Sequence, residues 1–362
     1  MPIYEDSFRI GCGRYIQAPG ALARCGEEVA RVGSVPFIIG DNNTLAVARE
    51  GILQGLAGQC NKYEIVTYNG SCCDEQAQIF AAQAKACGCD VIMGVGGGVL
   101  MDLAKLVAHF ASLPVINVPT SSATCAAYAP LSVRYTPEGR TVGTMHYARE
   151  VNAVIVDTAV LAGQPVRLLL SGVFDALAKF VEIKQRYRVG EKAPIGLDYA
   201  FVMATHSYEV LMTRTRACIE AMQRGEVTED VEEVIFTTIA ATGVISGIAR
   251  GANQCALAHK FYENSRYLYF EESRAFLHGE IVGVGLLLQN RFNGEPEENE
   301  PLLSLMREYG MPFSVPSLGI PCTEESLEKY YGRICGSSAI DKNNAAECAK
   351  FKEGLHYLWK LS

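Results

Sequence analysis

Short runs of β-branched and aliphatic residues alternate with amphipathic segments from about residue 35 to residue 158. Because apolar residues recur at helical spacing after most of these runs, the pattern predicts a parallel sheet covered by helices. The predicted strands are 35–40, 64–68, 91–96, 114–119, 131–136 and 153–158. The turn-like sequence PEGR at 137–140 predicts a hairpin, so we expect one part of the sheet to be antiparallel.

The strand pattern ends near residue 165, and long segments with helical periodicity follow it. These segments are FDALAKFVEIKQRY, GLDYAFVMATHSYEVLMTRTRACIEAMQRG, DVEEVIFTTIAATGVISGIA and AFLHGEIVGVGLLLQNRF. A turn containing glycine and proline at 158–165 separates the two patterns. A chain of 362 residues is also too long for one compact core. We therefore predict an α/β domain over residues 1–160 and an all-α domain over residues 161–362.

Composition narrows the classes of function. The chain is 49% hydrophobic and 20% charged with a net charge of −8, and no dense basic run is present, which argues against a nucleic-acid or membrane-surface partner. The acidic N-terminus and the absence of an apolar run of roughly 18 residues predict neither a signal peptide nor a membrane span. Thirteen scattered cysteines without a CxxC pair indicate free thiols in a reducing cytoplasm, most of them serving as small buried hydrophobes.

A glycine-rich segment, GVGGGVLMDLAK at 94–105, lies between a predicted strand and a predicted helix. Glycines let the backbone approach a pyrophosphate, and the free N–H groups at a helix start favour its negative charge. The spacing differs from both the GxGxxG and the P-loop pattern, so a purely structural turn remains an alternative. Asp102 also fits an acid that complements the helix dipole, and Lys105 fits a solvated helix residue.

Polar residues follow two further predicted strands. The segment PTSSATCAAY at 119–128 is crowded with hydroxyl groups that suit a dinucleotide, although they also suit a turn that satisfies its own backbone. Asp41 closes the strand at 37–41, where a carboxylate binds ribose hydroxyls and repels a 2′-phosphate, which favours NAD over NADP. The alternative for Asp41 is the N-cap of the next helix. Ligands bind at the carboxyl ends of parallel strands, so these segments support one site.

Three residues in the helical half are candidate metal ligands. His259 and His278 interrupt apolar helical stretches, and Asp175 does the same in LLSGVFDALAKFVE. One carboxylate with two imidazoles suits Zn²⁺ or Fe²⁺ and leaves coordination positions open. Two ordinary alternatives remain from the residues alone: each histidine is a hydrogen-bonded core residue, and Asp175 is an acid near a helix start.

Taken together, GVGGGVLMDLAK, VPTSSATCAAYAPLSVRYTPEG, VIVDT, SGVFDALAKFVE, AHKFYENSR and FLHGE resemble the iron-containing alcohol dehydrogenase superfamily, specifically its glycerol dehydrogenase branch. The resemblance implies a dehydroquinate synthase-like fold, with an α/β dinucleotide-binding domain followed by a helical metal-binding domain. It implies a dinucleotide site formed by Gly96, Gly97, Gly98, Asp102, Thr120, Ser121, Thr124, Leu131 and Tyr135, with Asp41 on the ribose. It also implies that Asp175, His259 and His278 hold the metal that serves catalysis.

One position departs from the glycerol dehydrogenase pattern. That branch has an aspartate in the motif PTxxSTDAP, which contacts the polyol, and this chain has Cys125 there. The stretch is more similar to the hydroxycarboxylate dehydrogenases of the same branch. Because losing a carboxylate removes repulsion toward an anion, we expect a 2-oxo or 2-hydroxy acid as substrate, followed by glycerol or a related diol. Arg134 is a candidate partner for the substrate carboxylate, unless strand alternation points it to solvent.

The resemblance completes the set of expectations. We expect a cytoplasmic NAD(P)-linked dehydrogenase that acts on a small molecule, uses NAD in preference to NADP, holds Zn²⁺ in preference to Fe²⁺ and forms a homo-oligomer. One alternative is a dehydroquinate synthase-like lyase, which would need more basic residues near the metal ligands. The other is a catalytically silent nucleotide-binding relative, which the intact Asp175, His259 and His278 argue against.

Overall fold

The computed structural model describes residues 8, 10–187, 193–250 and 254–361. The chain divides into two units, and the first comprises residues 1–169 and 210–244. The second comprises residues 170–209 and 245–362. Residues 210–244 thus belong to the same unit as the N-terminal part of the chain. The single domain boundary near residue 160 stays a prediction.

A six-stranded sheet, parallel throughout, forms the framework of the first unit. Its strands are β1 (Tyr15–Ala18), β2 (Pro36–Gly40), β3 (Glu64–Thr67), β4 (Val91–Gly96), β5 (Val115–Pro119) and β8 (Ala153–Asp157), in the order β1-β8-β5-β4-β2-β3. Strands β2, β4, β5 and β8 are buried along their whole length, which explains their mostly apolar sequences. Five of the six predicted strands are thus confirmed in this sheet.

The sixth predicted strand is β6 (Leu131–Tyr135), which pairs with β7 (Thr141–His146). The predicted hairpin is confirmed, because this pair is antiparallel. The expectation that it belongs to the main sheet is wrong, because β6 and β7 form a separate two-stranded sheet. No residue of β7 is buried, which explains why its sequence lacks the apolar positions that would predict a strand.

The helices confirm the predicted change of pattern, because no strand follows β8 among the described residues. In chain order they are α1 (Cys25–Ala30), α2 (Asn42–Leu56), α3 (Asp74–Ala86), α4 (Gly98–Ala111), α5 (Thr158–Ala162), α6 (Val166–Arg186), α7 (Ile195–Gln223), α8 (Glu229–Phe236), α9 (Thr242–Ile248), α10 (Leu257–Leu268), α11 (Phe270–Ser273), α12 (His278–Asn293), α13 (Asn299–Glu308), α14 (Glu324–Ile334) and α15 (Ala345–Lys360). A π-helical turn, Thr237–Ala241, joins α8 to α9.

Residues 229–248 form a helical stretch that is long and apolar enough to cross a membrane by composition alone. Within this stretch, 61% of the most apolar 18-residue window is buried inside the protein. Burial of this kind is typical of a core helix in a globular protein.

A buried lysine holds the segment that leads into β6. Lys105 on α4 is only 2% exposed, and its Nζ donates to the carbonyls of Ala126 and Ala129 at 2.6 and 2.9 Å. It also donates to the carbonyl of Leu131 and forms an ion pair of 2.9 Å with Asp102. A buried ammonium group requires such partners. Lys105 is therefore a structural cation, and its interpretation as a solvated helix residue is wrong.

Two glycines allow α12 to pack closely against neighbouring helices of the second unit. A Cβ on Gly279 would lie 1.7 Å from the backbone carbonyl oxygen of Ser171 on α6. A Cβ on Gly285 would lie 2.7 Å from the carbonyl oxygen of Ala258 on α10. Since backbone atoms cannot yield as a flexible side chain can, these positions set how closely α12 approaches α6 and α10.

We predict that Lys105→Met lowers the free energy of unfolding by about 3–5 kcal/mol, because it leaves Asp102 as an unpaired buried charge. Urea denaturation measures the change. Lys85→Met is the matched control, since Lys85 is exposed at the end of α3 and should change stability little. The double variant Asp102→Asn/Lys105→Met should recover part of the loss. Equal stabilities for the two single variants would contradict the role of Lys105.

Candidate functional site

The glycine-rich loop, which begins the segment 94–105, and the hydroxyl-rich segment, residues 119–128, lie against each other in the first unit. The amide of Thr120 donates to the carbonyl of Gly96 at 3.0 Å. A Cβ on Gly98 would lie 3.0 Å from the Thr124 hydroxyl, and one on Gly97 would lie 3.3 Å from the Ser121 hydroxyl. Glycine therefore leaves open the space between the backbone and the hydroxyl groups.

The start of α4 has the character of an anion-binding helix end. Gly97 is its N-cap residue and supplies no side chain to bond the first backbone N–H groups. In this geometry, the N–H groups and the dipole of a 14-residue helix favour a negatively charged ligand. The open glycine backbone, the nearby hydroxyls and the helix end together fit the pyrophosphate of a dinucleotide.

Asp41 follows β2, which is next to β4 in the sheet, so it lies at the same edge as the glycine-rich loop. Its Oδ1 accepts from the amides of Asn43 and Thr44, both at 2.8 Å, and caps α2. The Thr44 hydroxyl in turn lies 3.1 Å from the carbonyl oxygen of Val95. The N-cap interpretation is therefore confirmed. Both capping bonds use the same carboxylate oxygen, and binding of ribose by Asp41 stays a prediction.

Asp102 faces the protein interior, where Lys105 and the amide of Val133 are its partners. Burial raises the pKa of Asp102, and the charge of Lys105 opposes this rise. Its interpretation as a first-turn helix acid is wrong, because the first turn of α4 has no acidic residue. Asp102 thus positions β6, which begins at Leu131 and ends at Tyr135. Contacts of Asp102, Leu131 and Tyr135 with the coenzyme stay predictions.

Cys125 opens a short 3₁₀ turn, Cys125–Ala127, and its side chain is partly exposed. Thr124 caps this turn by accepting from the amide of Ala126 at 3.3 Å. Arg134 forms an ion pair of 2.8 Å with Asp74, which weakens its candidacy as the partner of a substrate carboxylate. The hydroxyl-rich segment thus contains a partly exposed thiol, that of Cys125.

The three predicted metal ligands come together within the second unit. Asp175 lies in the middle of α6, His259 lies in the first turn of α10, and His278 is the first residue of α12. Asp175 Oδ1 is 3.4 Å from His259 Nε2 and 3.5 Å from His278 Nε2. One donor atom from each residue lies within 4.8 Å of the others. A carboxylate oxygen and two imidazole nitrogens at this spacing fit one divalent cation.

The interpretation of Asp175 as an acid near a helix start is wrong, because it occupies the helix interior and is 4% exposed. Burial raises the pKa of Asp175, but the charges of Lys179 and His278 outweigh burial and hold this pKa well below its usual value. Lys179 Nζ is 3.3 Å from Asp175 Oδ1, one helical turn away. The low pKa favours the ionised carboxylate of Asp175, which is the form that binds a metal, and the ammonium group of Lys179 lies beside it.

Glu182 is a site residue that the sequence interpretation missed. Its Oε2 lies 2.5 Å from His259 Nδ1, and its Oε1 accepts from the amides of Ala256 and His259 at 2.7 and 2.9 Å. It therefore caps α10 and orients the imidazole at the same time. A carboxylate at Nδ1 favours the tautomer whose Nε2 lone pair faces the metal. The signal in the sequence is the run of charged residues Asp175, Lys179 and Glu182 in an apolar helix.

Burial lowers the pKa of both histidine rings, but the neighbouring groups shift the two pKa values to different extents. Burial lowers the pKa of His259, but Cys255 and Glu182 raise it more, so its pKa lies well above the usual value. Burial lowers the pKa of His278, and the carboxylate of Asp175 only partly opposes this. A proton and a metal therefore compete for Nε2 of His259.

A second group of potential ligand atoms lies on the Nδ1 side of His259. It comprises Glu182, Cys255 and His259, with one donor atom from each within 4.8 Å of the others. The hydrogen bonds of Glu182 to α10 already occupy its carboxylate. We therefore interpret this group as the support of the imidazole and the Asp175 group as the metal centre.

Comparisons with a family model, with known proteins and with solved structures all indicate the same family. The family described as iron-containing alcohol dehydrogenase matches residues 12–158. A glycerol dehydrogenase from Citrobacter freundii is 30% identical over 311 residues, covering 85% of this chain and 84% of that protein. Hydroxycarboxylate dehydrogenase A from Escherichia coli K12 is 29% identical over 298 residues, covering 81% and 76%. The crystal structure of glycerol dehydrogenase from Schizosaccharomyces pombe is similar with a TM-score of 0.84 at 26% identity, covering 98% and 90%.

We predict that Glu182→Gln weakens Zn²⁺ binding about 10–100-fold. The amide oxygen can still cap α10, but its NH₂ group donates to Nδ1 and forces the His259 proton onto Nε2, where the metal binds. Competition with a chelator measures the dissociation constant. Glu297→Gln, at an exposed position, is the control. An unchanged dissociation constant for Glu182→Gln would show that Glu182 does not set the tautomer.

Proposed function

The chain belongs to the iron-containing alcohol dehydrogenase family, in its glycerol dehydrogenase branch, and on this premise we propose that it interconverts a 2-oxo acid and a 2-hydroxy acid. It is an NAD-linked, metal-dependent oxidoreductase that acts on a CH–OH group, as the sequence indicated. The observation that carries the substrate proposal is Cys125, a partly exposed neutral thiol where the glycerol dehydrogenase motif has a carboxylate. Glycerol is the second candidate, because glycerol dehydrogenases are among the relatives.

Charge near the metal ligands supports an anionic substrate. Asp175 and Glu182 are two buried carboxylates, and Lys179 supplies one positive charge beside Asp175. Together with a divalent cation these side chains make the centre net positive. A small carboxylate is attracted to such a centre more strongly than a neutral polyol is.

The proposed roles follow from what each group contacts. Asp175, His259 and His278 hold the metal, while Glu182 and Lys179 keep two of these ligands oriented. The metal supplies Lewis-acid activation of the substrate oxygen, and the nicotinamide supplies the hydride chemistry. We assign the dinucleotide to Asp41, Gly96, Gly97, Gly98, Asp102, Thr120, Ser121, Thr124, Leu131 and Tyr135. In this assignment Asp102 acts through the position of β6, since its carboxylate faces Lys105.

The proposal extends to the metal, the coenzyme, the compartment and the oligomeric state. Zn²⁺ is the proposed metal, because two imidazoles and one carboxylate with an open position form a common catalytic zinc site. NAD is preferred over NADP, because a carboxylate at Asp41 repels a 2′-phosphate. We also propose a cytoplasmic homo-oligomer, with the thirteen free cysteines favouring a reducing compartment.

We predict that Asp175→Ala and His259→Ala each abolish turnover while NADH binding changes little, because both side chains belong to the metal centre of the second unit. Metal content by mass spectrometry should fall with turnover, and NADH fluorescence titration should give nearly the wild-type dissociation constant. His109→Ala is the control, since His109 lies outside this group. Full activity in a metal-depleted variant would contradict the assignment.

We predict that kcat/KM for 2-oxobutyrate exceeds that for glycerol in the wild-type protein. Cys125→Asp should lower kcat/KM for the 2-oxo acid by roughly 10-fold or more, because it places a like charge near the substrate carboxylate. Cys125→Ser, which stays neutral, should keep the wild-type preference. Initial rates followed at the NADH absorbance band measure both. A wild-type preference for glycerol would overturn the substrate proposal while leaving the metal centre unaffected.

A further inference from the structure

Two cysteines far from the metal ligands in sequence lie next to each other in the second unit. Cys335 directly follows α14, and Cys348 lies in the first turn of α15. Their Sγ atoms are 3.3 Å apart. Twelve residues separate them in the chain, so the segment 336–347 forms a loop whose two ends are the thiols. A disulfide requires the two sulfur atoms to approach from this distance to about 2.05 Å.

The surroundings of the pair leave it open to solutes. Both side chains are partly exposed, and the residues at 341–346, which precede Cys348, are exposed. The Cys348 thiol is 3.6 Å from the carbonyl oxygen of Asp341 and 3.8 Å from that of Lys342. These are weak hydrogen bonds that an exposed thiol can exchange for water. The other described cysteines include buried ones, such as Cys25 and Cys218, that solutes do not reach.

We propose that Cys335 and Cys348 form a redox modification site that low-molecular-weight disulfides oxidise to an intramolecular disulfide. The thiolate of Cys348 attacks one sulfur of the small disulfide, and one small thiol leaves with a proton from water. The thiolate of Cys335 then attacks Cys348 Sγ in the mixed disulfide and releases the second small thiol. The two cysteines lose two protons and two electrons, and the small disulfide gains them as two thiols.

The segment between the two thiols is attached to the helices that carry the metal ligands. Its Ala339 carbonyl accepts from Gln185 Nε2 of α6 at 2.5 Å. Gln185 Oε1 accepts from Gln289 Nε2 of α12 at 2.9 Å, and Gln289 Oε1 accepts from the amide of Leu257 at the start of α10 at 2.7 Å. The same segment lines a cleft of about 1110 Å³ beside Gln185. Oxidation therefore restrains a segment that is hydrogen-bonded to α6 and, through Gln185 and Gln289, linked to α12 and α10.

Treating the folded, metal-loaded protein with glutathione disulfide tests the proposal. Peptide mass spectrometry should find Cys335 linked to Cys348, and the intact protein should lose the mass of two hydrogens at this pair. Dithiothreitol should reverse the change. In Cys335→Ser, the remaining Cys348 should instead keep a glutathionyl group, because the thiol that resolves the mixed disulfide is missing. Cys322→Ser is the matched control, since Cys322 is exposed and its removal should leave the bridge unchanged.

Two results would overturn the proposal. One is the absence of the linked peptide from the folded wild-type protein. The other is a linked peptide that forms only after denaturation, since proximity in the fold is the basis of the inference. Neither result bears on the substrate or the metal.

Discussion

The second unit depends on one buried carboxylate, that of Glu182. It comes from α6, accepts two backbone amides at the start of α10 and holds the ring of His259. The first N–H groups of a helix lack partners within the helix, so a buried helix start requires acceptors from elsewhere. Here Glu182 and Gln289 supply them from α6 and α12. One interaction thus satisfies the backbone of α10 and orients a proposed metal ligand.

In the first unit, buried backbone carbonyls also need partners, and a buried cation, the ammonium group of Lys105, supplies the donors. Lys105 satisfies three backbone carbonyls of the segment that leads into β6, and Asp102 balances its charge. Removing an ion from water costs several kcal/mol, on the order of the net stability of a domain, so each buried charge must be fully partnered. Because these partners are mostly backbone groups at or just before the starts of α10 and β6, the buried ions fix the path by which the chain enters these two elements. In this sense the two units use charge in the same way.

This dependence also explains what the sequence could predict. Strands β2, β4, β5 and β8 are mostly apolar, and the helices repeat their apolar residues at helical spacing, so both kinds of element can be predicted from local sequence pattern. The proposed metal ligands could be identified as polar residues in apolar helices, and the resemblance to a family indicated that they act as one set. The roles of Lys105, Glu182 and Arg134 could not be predicted, because the carbonyls that Lys105 binds and the partners of the other two side chains lie 21 or more residues away along the chain. Strand β1, four residues long and at a sheet edge, carried too little pattern to recognise.

The net charge of −8 on the whole chain does not decide which substrate the proposed metal centre accepts. Exposed charges are screened over about 8 Å at physiological ionic strength, whereas Asp175, Lys179 and Glu182 are buried and act at short range. An acidic protein can therefore attract an anion wherever its local cations outweigh its local carboxylates. Within the hydroxyl-rich segment the same reasoning applies to Cys125, because a single neutral thiol in place of a carboxylate changes the local charge by one unit. The proposed substrate preference therefore requires a change of charge at one position and no change in the fold.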